Sequence, residues 1–515
     1  MTQSSPIAVG IDLGTTFSVL ARLDGRGQPV TVVNAEGDRL TPSNVLFDGN
    51  DVIVGKEALK AIATEADSVA ECSKRDVGHR VYHKVIGGKQ YPPEVIEAFI
   101  LNKLRVDAVK QIGPFSKVVI TVPAYFDEVR RKATQDSGYM AGFEVLDIIN
   151  EPTAAAVAFG FQQGYLDPRG SSLAPQNILV YDLGGGTFDV TVMQIRGTEF
   201  CAMATDGDVR LGGYDWDQRL VDLAAEGFIR QHQVDPRENA ASVGKLWREC
   251  EDAKRTLSAR QKTAVTCDYQ GVSSRIEISR QQFEEATQDL LDRTRFTTVQ
   301  TLRAAGIDWK ELDRVLLVGG STRMPMVREM LRQLSGKEPD DSVAADEAVA
   351  HGAALHASLI LSKQEGSPPA FNIKNVNSHS LGVVGTDPLT QRRRNGILIP
   401  RNTPLPVTAK RTFKTKKAGQ RSIRVDIVEG ESPSAEDCTP IGRCSVRHLP
   451  PDLPAKYPVE VLFHYEQNGR LKVRVTIPNT DHHVATEIVR ENRLSKEHMD
   501  GWRQYISGLA PTDYQ

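Results

Sequence analysis

Two segments of this chain share one design, and that design constrains the fold more than any other feature. Val9-Gly-Ile-Asp-Leu-Gly-Thr-Thr-Phe17 and Ile178-Leu-Val-Tyr-Asp-Leu-Gly-Gly-Gly-Thr-Phe-Asp189 are each a short apolar run with one carboxylate near its end, followed by a tight turn of Gly and Thr. A short apolar run bounded this way reads as a strand buried on both faces. Turn glycines let backbone N–H groups close on an anion that any Cβ would hold away. Threonine hydroxyls add donors, and a carboxylate such as Asp12 or Asp182 can hold a hydrated cation. Two such loops facing one another would grip the phosphates of a nucleotide and a Mg²⁺ ion from both sides. One Asp-Leu-Gly is a common strand end, whereas two copies in register specify a site.

At 515 residues the chain is long for one core, so two or three domains are expected. Hydrophobic content of 40% and charged content of 25% are ordinary globular values. A net charge of −3 gives no global sign of nucleic-acid or membrane binding. The cysteines, at 72, 201, 250, 267, 438 and 444, show no C-x-x-C spacing. Free thiols in a reducing compartment are expected, with Cys438 and Cys444 the one pair close enough in sequence to consider. The N-terminus has no basic region followed by an apolar stretch, and no apolar run approaches the roughly 18 residues of a membrane span. These features point to a cytoplasmic protein.

Residues 7 to about 365 alternate strand-like runs (118–122, 178–181, 190–192, 315–318) with amphipathic stretches (93–109, 128–141, 214–232), which predicts an α/β architecture. Gly366-Ser-Pro-Pro369 breaks the last helix and marks a boundary. Beyond it the texture changes to short strands and turns. Alternating runs at 459–465 and 470–477, joined through Asn468-Gly469, carry the strongest short hairpin signal. This region reads as a β-sandwich of about 110 residues, closed by a short amphipathic helix at 495–506. The expected division is 1–365, a linker at 366–378, a sandwich at 379–492, and a short helix and tail at 493–515.

Three further segments belong beside the repeated loops. Val318-Gly-Gly-Ser-Thr-Arg-Met-Pro325 follows an apolar strand, and its glycines would let backbone pass close to a flat ring or an anion. Asn150-Glu-Pro-Thr-Ala-Ala-Ala156 and Asp346-Glu-Ala-Val-Ala-His-Gly-Ala-Ala354 are helices of small residues, which permit the close approach a hinge between lobes requires. No G-x-x-x-x-G-K-[ST] occurs, so a P-loop is excluded as the basis of the site.

The order and wording of these segments resemble the seventy-kilodalton heat-shock chaperone family (DnaK type), within the actin and sugar-kinase superfamily. The resemblance runs from Ile7 to about Ile506. It is carried by Ile11-Asp-Leu-Gly-Thr-Thr16, Val122-Pro-Ala-Tyr-Phe126, Glu151-Pro-Thr153, Asp182-Leu-Gly-Gly-Gly-Thr187 and Gly319-Gly-Ser-Thr-Arg323. It implies a two-lobed actin-like ATPase of duplicated ribonuclease H-like halves, followed by a β-sandwich that binds extended peptides of unfolded clients under the control of ATP. J-domain co-chaperones and nucleotide-exchange factors are the partners it implies.

The resemblance also assigns roles. Asp12 and Asp182 would hold Mg²⁺ through its waters. Gly14, Thr15, Thr16, Gly184, Gly185, Gly186 and Thr187 would surround phosphate oxygens. Lys74 matches the catalytic lysine, whose charge would offset the build-up on the transferring phosphoryl group. Glu151 and Asp189 would orient water near the γ-phosphate. Glu251, Lys254, Arg255 and Ser258 match the adenosine-binding helix, and their spacing puts all four on one face. Gly319, Gly320, Ser321 and Arg323 would complete the adenine pocket, with Asp346 nearby. Pro123 and Arg131 match the relay toward the linker, and Val383, Phe413, Ile423 and Val425 match the peptide channel, although alternating apolar residues in strands are equally a sandwich core.

The chain departs from the family pattern in four places. The linker Ala370-Phe-Asn-Ile-Lys-Asn375 is more polar than usual and ends in Asn375 where the family has aspartate. The arch over a bound peptide would be Thr386 and Lys416. Residues 74–93 are shorter than usual, which implies a trimmed ATPase subdomain. After the sandwich there is room for one helix in place of a long lid, which implies fast peptide exchange. Residues 385–424 also hold eleven Lys/Arg against one acid, Asp387. That excess reads either as protection of strand edges or as preference for acidic clients. An ATP-dependent chaperone is the expected function. Its rivals are an ATPase-based regulatory module with one dedicated partner, a small-molecule kinase and an actin-like filament protein.

Overall fold

The computed structural model describes residues 7–166, 173–387, 389–467, 469–478 and 494–508, together with the backbone of 483–487. The sequence repeat is a repeat of topology. Strand Val9–Asp12 pairs antiparallel with Phe17–Leu23 and parallel with Lys117–Val122. Strand Gln176–Leu183 pairs antiparallel with Phe188–Arg196 and parallel with Arg314–Val318. Each Asp-Gly turn therefore joins the two strands of a hairpin in the middle of a mixed sheet. Helices cover these sheets, so their central strands carry no alternation: Val118, Val119 and Ile120, and Ile178, Leu179 and Val180, are all at 0% exposure.

The two lobes meet through the small-residue helices, as expected. Helix Ala348–Gln364 packs on helix Glu151–Gln162 and on strand Val9–Asp12. A Cβ on Gly352 would lie 1.8 Å from the Ala154 carbonyl oxygen, and one on Gly10 would lie 2.1 Å from the Ala354 nitrogen. Only hydrogen fits at either contact, so these glycines set the distance between backbones.

The predicted helices form at Pro93–Ile112, Glu128–Met140 and Gly213–His232. The second begins at Asp127, whose carboxylate accepts the Arg130 N–H at 2.8 Å. The C-terminal strands build two packed four-stranded sheets. One runs Arg393–Ile399, Leu381–Thr386, Ser422–Glu429, Thr439–Arg447; the other runs Val407–Lys414, Pro458–Tyr465, Leu471–Thr476, His483–Glu487. Strict alternation along Pro458–Tyr465 puts Val459, Val461, Phe463 and Tyr465 into the core between them. The expected hairpin to Leu471–Thr476 is present. Gly469, at φ +79°, supplies the left-handed turn position, and Asn468 lies outside the described residues.

Between the ATPase lobes and the sandwich, Asn372–Lys374 adds a parallel strand to the second-lobe sheet beside Glu199–Cys201. Phe371 anchors it, buried edge-on against Phe200 with ring centroids 5.9 Å apart.

The last helix, Lys496–Gly508, lies against the first lobe. It packs on helices Pro93–Ile112 and Glu128–Met140 of the first lobe. Met499 and Ile506 enter the first-lobe core, Trp502 lies 6.2 Å from Tyr91, and Arg503 stacks 4.6 Å over Tyr139. The physical reason is the spacing of 499, 502 and 506, which gives one apolar stripe that matches the aromatic surface of the first lobe. Among the described residues no helix is long and apolar enough to cross a membrane.

Candidate nucleotide site

A cavity of about 820 Å³ opens between the lobes. Its wall brings together Asp12, Gly14, Thr15, Thr16, Lys74 and Glu151 from the first lobe with Asp182, Gly184, Gly185 and Thr187 from the second. Glu251, Lys254, Arg255, Ser258, Gly319, Gly320, Ser321, Arg323 and Asp346 complete it. Two expected residues are not on the wall. Gly186 packs behind it against Thr15, and Asp189 sits one layer deeper, 1% exposed, with Oδ1 accepting the Tyr125 N–H at 3.0 Å.

The two turns interlock. A Cβ on Gly185 would fall 1.7 Å from Thr16 Oγ1, and one on Gly186 would fall 2.4 Å from Thr15 Cγ2. Gly319 sits at φ +82° with space for no side chain, since a Cβ would meet the Leu183 carbonyl at 2.4 Å and Asp182 Oδ1 at 2.7 Å. Ser321 Oγ donates to the Gly184 carbonyl at 2.9 Å, tying the third glycine loop to the second.

Charge in the floor of the cavity is unbalanced. Asp12, Glu151, Asp182 and Asp189 gather around one cation, Lys74. Burial, then the charge of Glu151, pushes Asp12 up to about 7. The same two causes push Asp189 up to about 8 and hold Asp182 well above the usual carboxylate range. Lys74 Nζ donates to Glu151 Oε1 at 2.6 Å with both side chains buried. Burial alone would lower the lysine, but Glu151, Asp12 and Glu97 together hold it above its ordinary value. Among the described residues no three acidic, His or Cys side chains converge closely enough to ligate a metal directly.

On the far wall, Lys254 Nζ reaches Asp217 at 2.6 Å and the Gly213 carbonyl at 2.9 Å. Arg255 pairs with Glu251 at 2.5 Å, so the predicted helical face is also an ion-pair ladder. Arg323 pairs with Asp346 at 2.6 Å and stays largely exposed at the rim.

Sequence reasoning missed several contributors. Thr121 Oγ1 donates to Asp12 Oδ1 at 3.0 Å, and a lone threonine inside the apolar run 118–122 was the available signal. Arg39, Lys56 and Arg248 also line the cavity, and nothing in their local pattern separates them from surface cations.

Of the residues expected to couple the two parts, Arg131 donates from Nε to the Phe126 carbonyl and from Nη2 to that of Ala124, both at 3.0 Å. It thereby fixes the turn after Pro123, and it abuts the hairpin at Gly469. Asn375 Oδ1 accepts from Thr153 Oγ1 at 3.1 Å. Around them His379 Nε2 meets the Tyr125 carbonyl at 2.9 Å, Arg401 pairs with Asp206 at 2.8 Å, and Glu429 accepts the Glu128 N–H at 3.1 Å. Of the expected channel residues, Val383, Ile423 and Val425 are buried in the sandwich core and Phe413 is half-buried against it. All six cysteines are free.

The family model described as Hsp70 protein matches residues 8–87 and 82–507. The Chaperone protein DnaK of Thermus thermophilus is 39% identical over 95% of this chain and 82% of its own length. Those of Thermotoga neapolitana and Halobacterium salinarum are each 37% identical, over 96% and 100% of this chain and 83% and 80% of their own lengths. On these matches the chain belongs to the Hsp70 family of ATP-dependent chaperones, which are ATPases.

Proposed function

We propose that ATP lies between the lobes with its phosphates at the interlocked turns of 12–17 and 182–187, and that water displaces ADP from the terminal phosphorus. The meeting of Thr16 with Gly185 and of Thr15 with Gly186, beside the buried Lys74–Glu151 pair, carries this reading. Thr15, Thr16 and Thr187 donate to phosphate oxygens. The Lys74 ammonium stabilises charge on the phosphoryl group in flight, and Glu151 and Asp189 orient the water. Glu251, Lys254, Arg255 and Ser258 hold the ribose and one face of the base, with Gly319, Gly320, Ser321, Arg323 and Asp346 opposite.

A divalent cation fits the acidic floor. Four buried carboxylates against one ammonium leave negative charge that needs neutralising, and the spacing that prevents direct ligation suits an ion kept in its water shell. Asp12 and Asp182 would hold Mg²⁺ there through those waters. When bound, it neutralises phosphate charge.

We further infer the division 1–365, 366–378, 379–492 and 493–515, with the sandwich binding extended segments of client proteins. Pro123, Arg131 and Asn375 transmit the nucleotide state, and Val383, Phe413, Ile423 and Val425 line the channel once the sandwich opens. J-domain and nucleotide-exchange partners follow from the same reading. The free cysteines support a reducing, cytoplasmic setting. The test is basal ATPase with and without a panel of extended peptides, for the intact chain and for Lys74→Ala. Slow turnover, nearly abolished in the variant with ATP binding largely kept, is expected; an unchanged rate would overturn the assignment.

A further inference from the structure

The end of the sandwich that points away from the ATPase lobes is crowded with cations. Antiparallel pairing sets Leu381 opposite Glu429 and Val383 opposite Ile427. The loops 387–392 and 415–421 therefore leave from one end of the sheet, and Glu429 meets Glu128 at the other. At about 3.3 Å per residue, strand Ser422–Glu429 separates the two ends by roughly 25 Å.

Of the eleven Lys/Arg in 385–424, Arg401 is engaged with Asp206 of the second lobe, and the remaining ten are exposed. Few acids reach them. Among the described residues Asp426 serves Arg393, Arg424 and Arg443 together, at 3.5, 2.7 and 3.0 Å. Arg394 has Asp387 at 3.6 Å and Lys410 has Glu460 at 2.8 Å. Arg392, Arg411, Lys414, Lys416, Lys417 and Arg421 meet no carboxylate among the described residues, and Arg411 Nη1 donates to the Ile397 carbonyl at 3.1 Å. The other five lie in those two loops or at the strand end leading into one. Edge protection would spread charge along the outer strand Arg393–Ile399. Concentration at one end does not serve that purpose.

We propose that the two loops form a cationic mouth that selects acidic extended segments, an apolar stretch flanked by Asp and Glu. The proposal rests on the reading of the sandwich as the client-binding domain and adds the sign of the charge it prefers. Val383, Phe413, Ile423 and Val425 lie on the strands joined by these loops, packed in or against the core, and would supply the apolar contact once the sandwich opens. Unpaired Arg and Lys beside them attract carboxylates at short range, within the Debye length of roughly 8 Å at physiological salt. A nucleic acid fits less well. Neither loop contains an aromatic side chain on which a base could stack, and the net charge of −3 opposes a long polyanion.

The test uses the full chain and two labelled peptides with one apolar centre, flanked either by Glu or by Lys, titrated by fluorescence anisotropy. Tighter binding of the Glu-flanked peptide is expected, by about tenfold at 50 mM salt and about threefold at 300 mM. The triple variant Lys416→Glu, Lys417→Glu, Arg421→Glu should reverse the preference, with its melting temperature checking the fold. Equal affinities, or a preference untouched by the charge reversal, would overturn the proposal. Failure of both peptides to bind would overturn it by a different route, since the peptide-binding reading itself would fall. Equal competition by single-stranded nucleic acid or by anionic vesicles would mark a general polyanion surface and overturn it as well.

Discussion

Lys74 Nζ lies 2.6 Å from Glu151 Oε1 at the floor of the interlobe cavity, with side-chain exposures of 4% and 9%. Among the described residues the ammonium is the one cation whose charge bears on all four buried acids, so its removal has two separable effects. Lys74→Ala should lower the ATPase rate by roughly 10²–10³-fold, the range seen when a charge-stabilising donor is removed. It should also destabilise the nucleotide-free protein by about 3–5 kcal/mol, because a buried carboxylate is left unpaired. Single-turnover hydrolysis and thermal melts check the two effects independently.

The interlocked turns admit no side chain at Gly185 or Gly186. Gly185→Ala would drive a methyl group into Thr16 Oγ1, so the lobes must separate at that point. Nucleotide affinity should fall by tenfold or more, as calorimetry would read. Gly25→Ala is the control, since nothing lies within 4 Å of its added Cβ.

The contact of the sandwich with the first lobe is expected to depend on pH through Glu429. Its carboxyl is 3% exposed, and burial first, then the charge of Asp127, holds it well above its ordinary value of 4.5. Glu128 and the buried Tyr465 also face it, and the charge of Arg131 partly offsets the acids. A carboxyl whose value is raised on docking binds its proton more tightly when docked. Docking is therefore fully favoured below the ordinary value and weakens as pH rises toward the docked value, by up to tenfold per unit. Glu429→Gln should remove that dependence and favour docking at neutral pH. Small-angle scattering between pH 5 and 8 would report it as a constant, compact radius of gyration in the variant.

Trp502 anchors the last helix to the first lobe beside Tyr91. Trp502→Ala should release Lys496–Gly508, which hydrogen exchange would show as lost amide protection. The rest of the first lobe should stay protected, because the core that Met499 and Ile506 enter is built chiefly from helix Pro93–Ile112 and the sheet beneath it.

How much of this was readable beforehand depends on the kind of force involved. The twin loops were legible because glycine at a point of backbone contact has no substitute, so Gly185 and Gly319 declare themselves in one sequence. The adenosine face was legible for a weaker reason: helical periodicity fixes which of Glu251, Lys254, Arg255 and Ser258 share a side. Arg39, Lys56 and Arg248 were not legible, since a long cation is placed in a cavity by tertiary packing and has no local signature. The same limit applied to Lys496–Gly508. Its stripe of Met499, Trp502 and Ile506 announced that it would bury a face, and nothing in the stripe named the surface. Thr121 lies between these cases, a polar residue in a buried strand whose partner, Asp12, became visible only with the parallel pairing of the two strands.

The joint between the two halves is fastened by amides. Asn372–Lys374 lies alongside Glu199–Cys201, and the Asn372 N–H reaches the Thr198 carbonyl at 2.9 Å. Peptide groups are alike whatever they carry, so a joint of this kind tolerates drift in its side chains. Its weakness is to imino acids: a proline at Asn372 would delete that rung and loosen the coupling, while an exchange of polar for greasy residues that keeps the N–H would leave it closed.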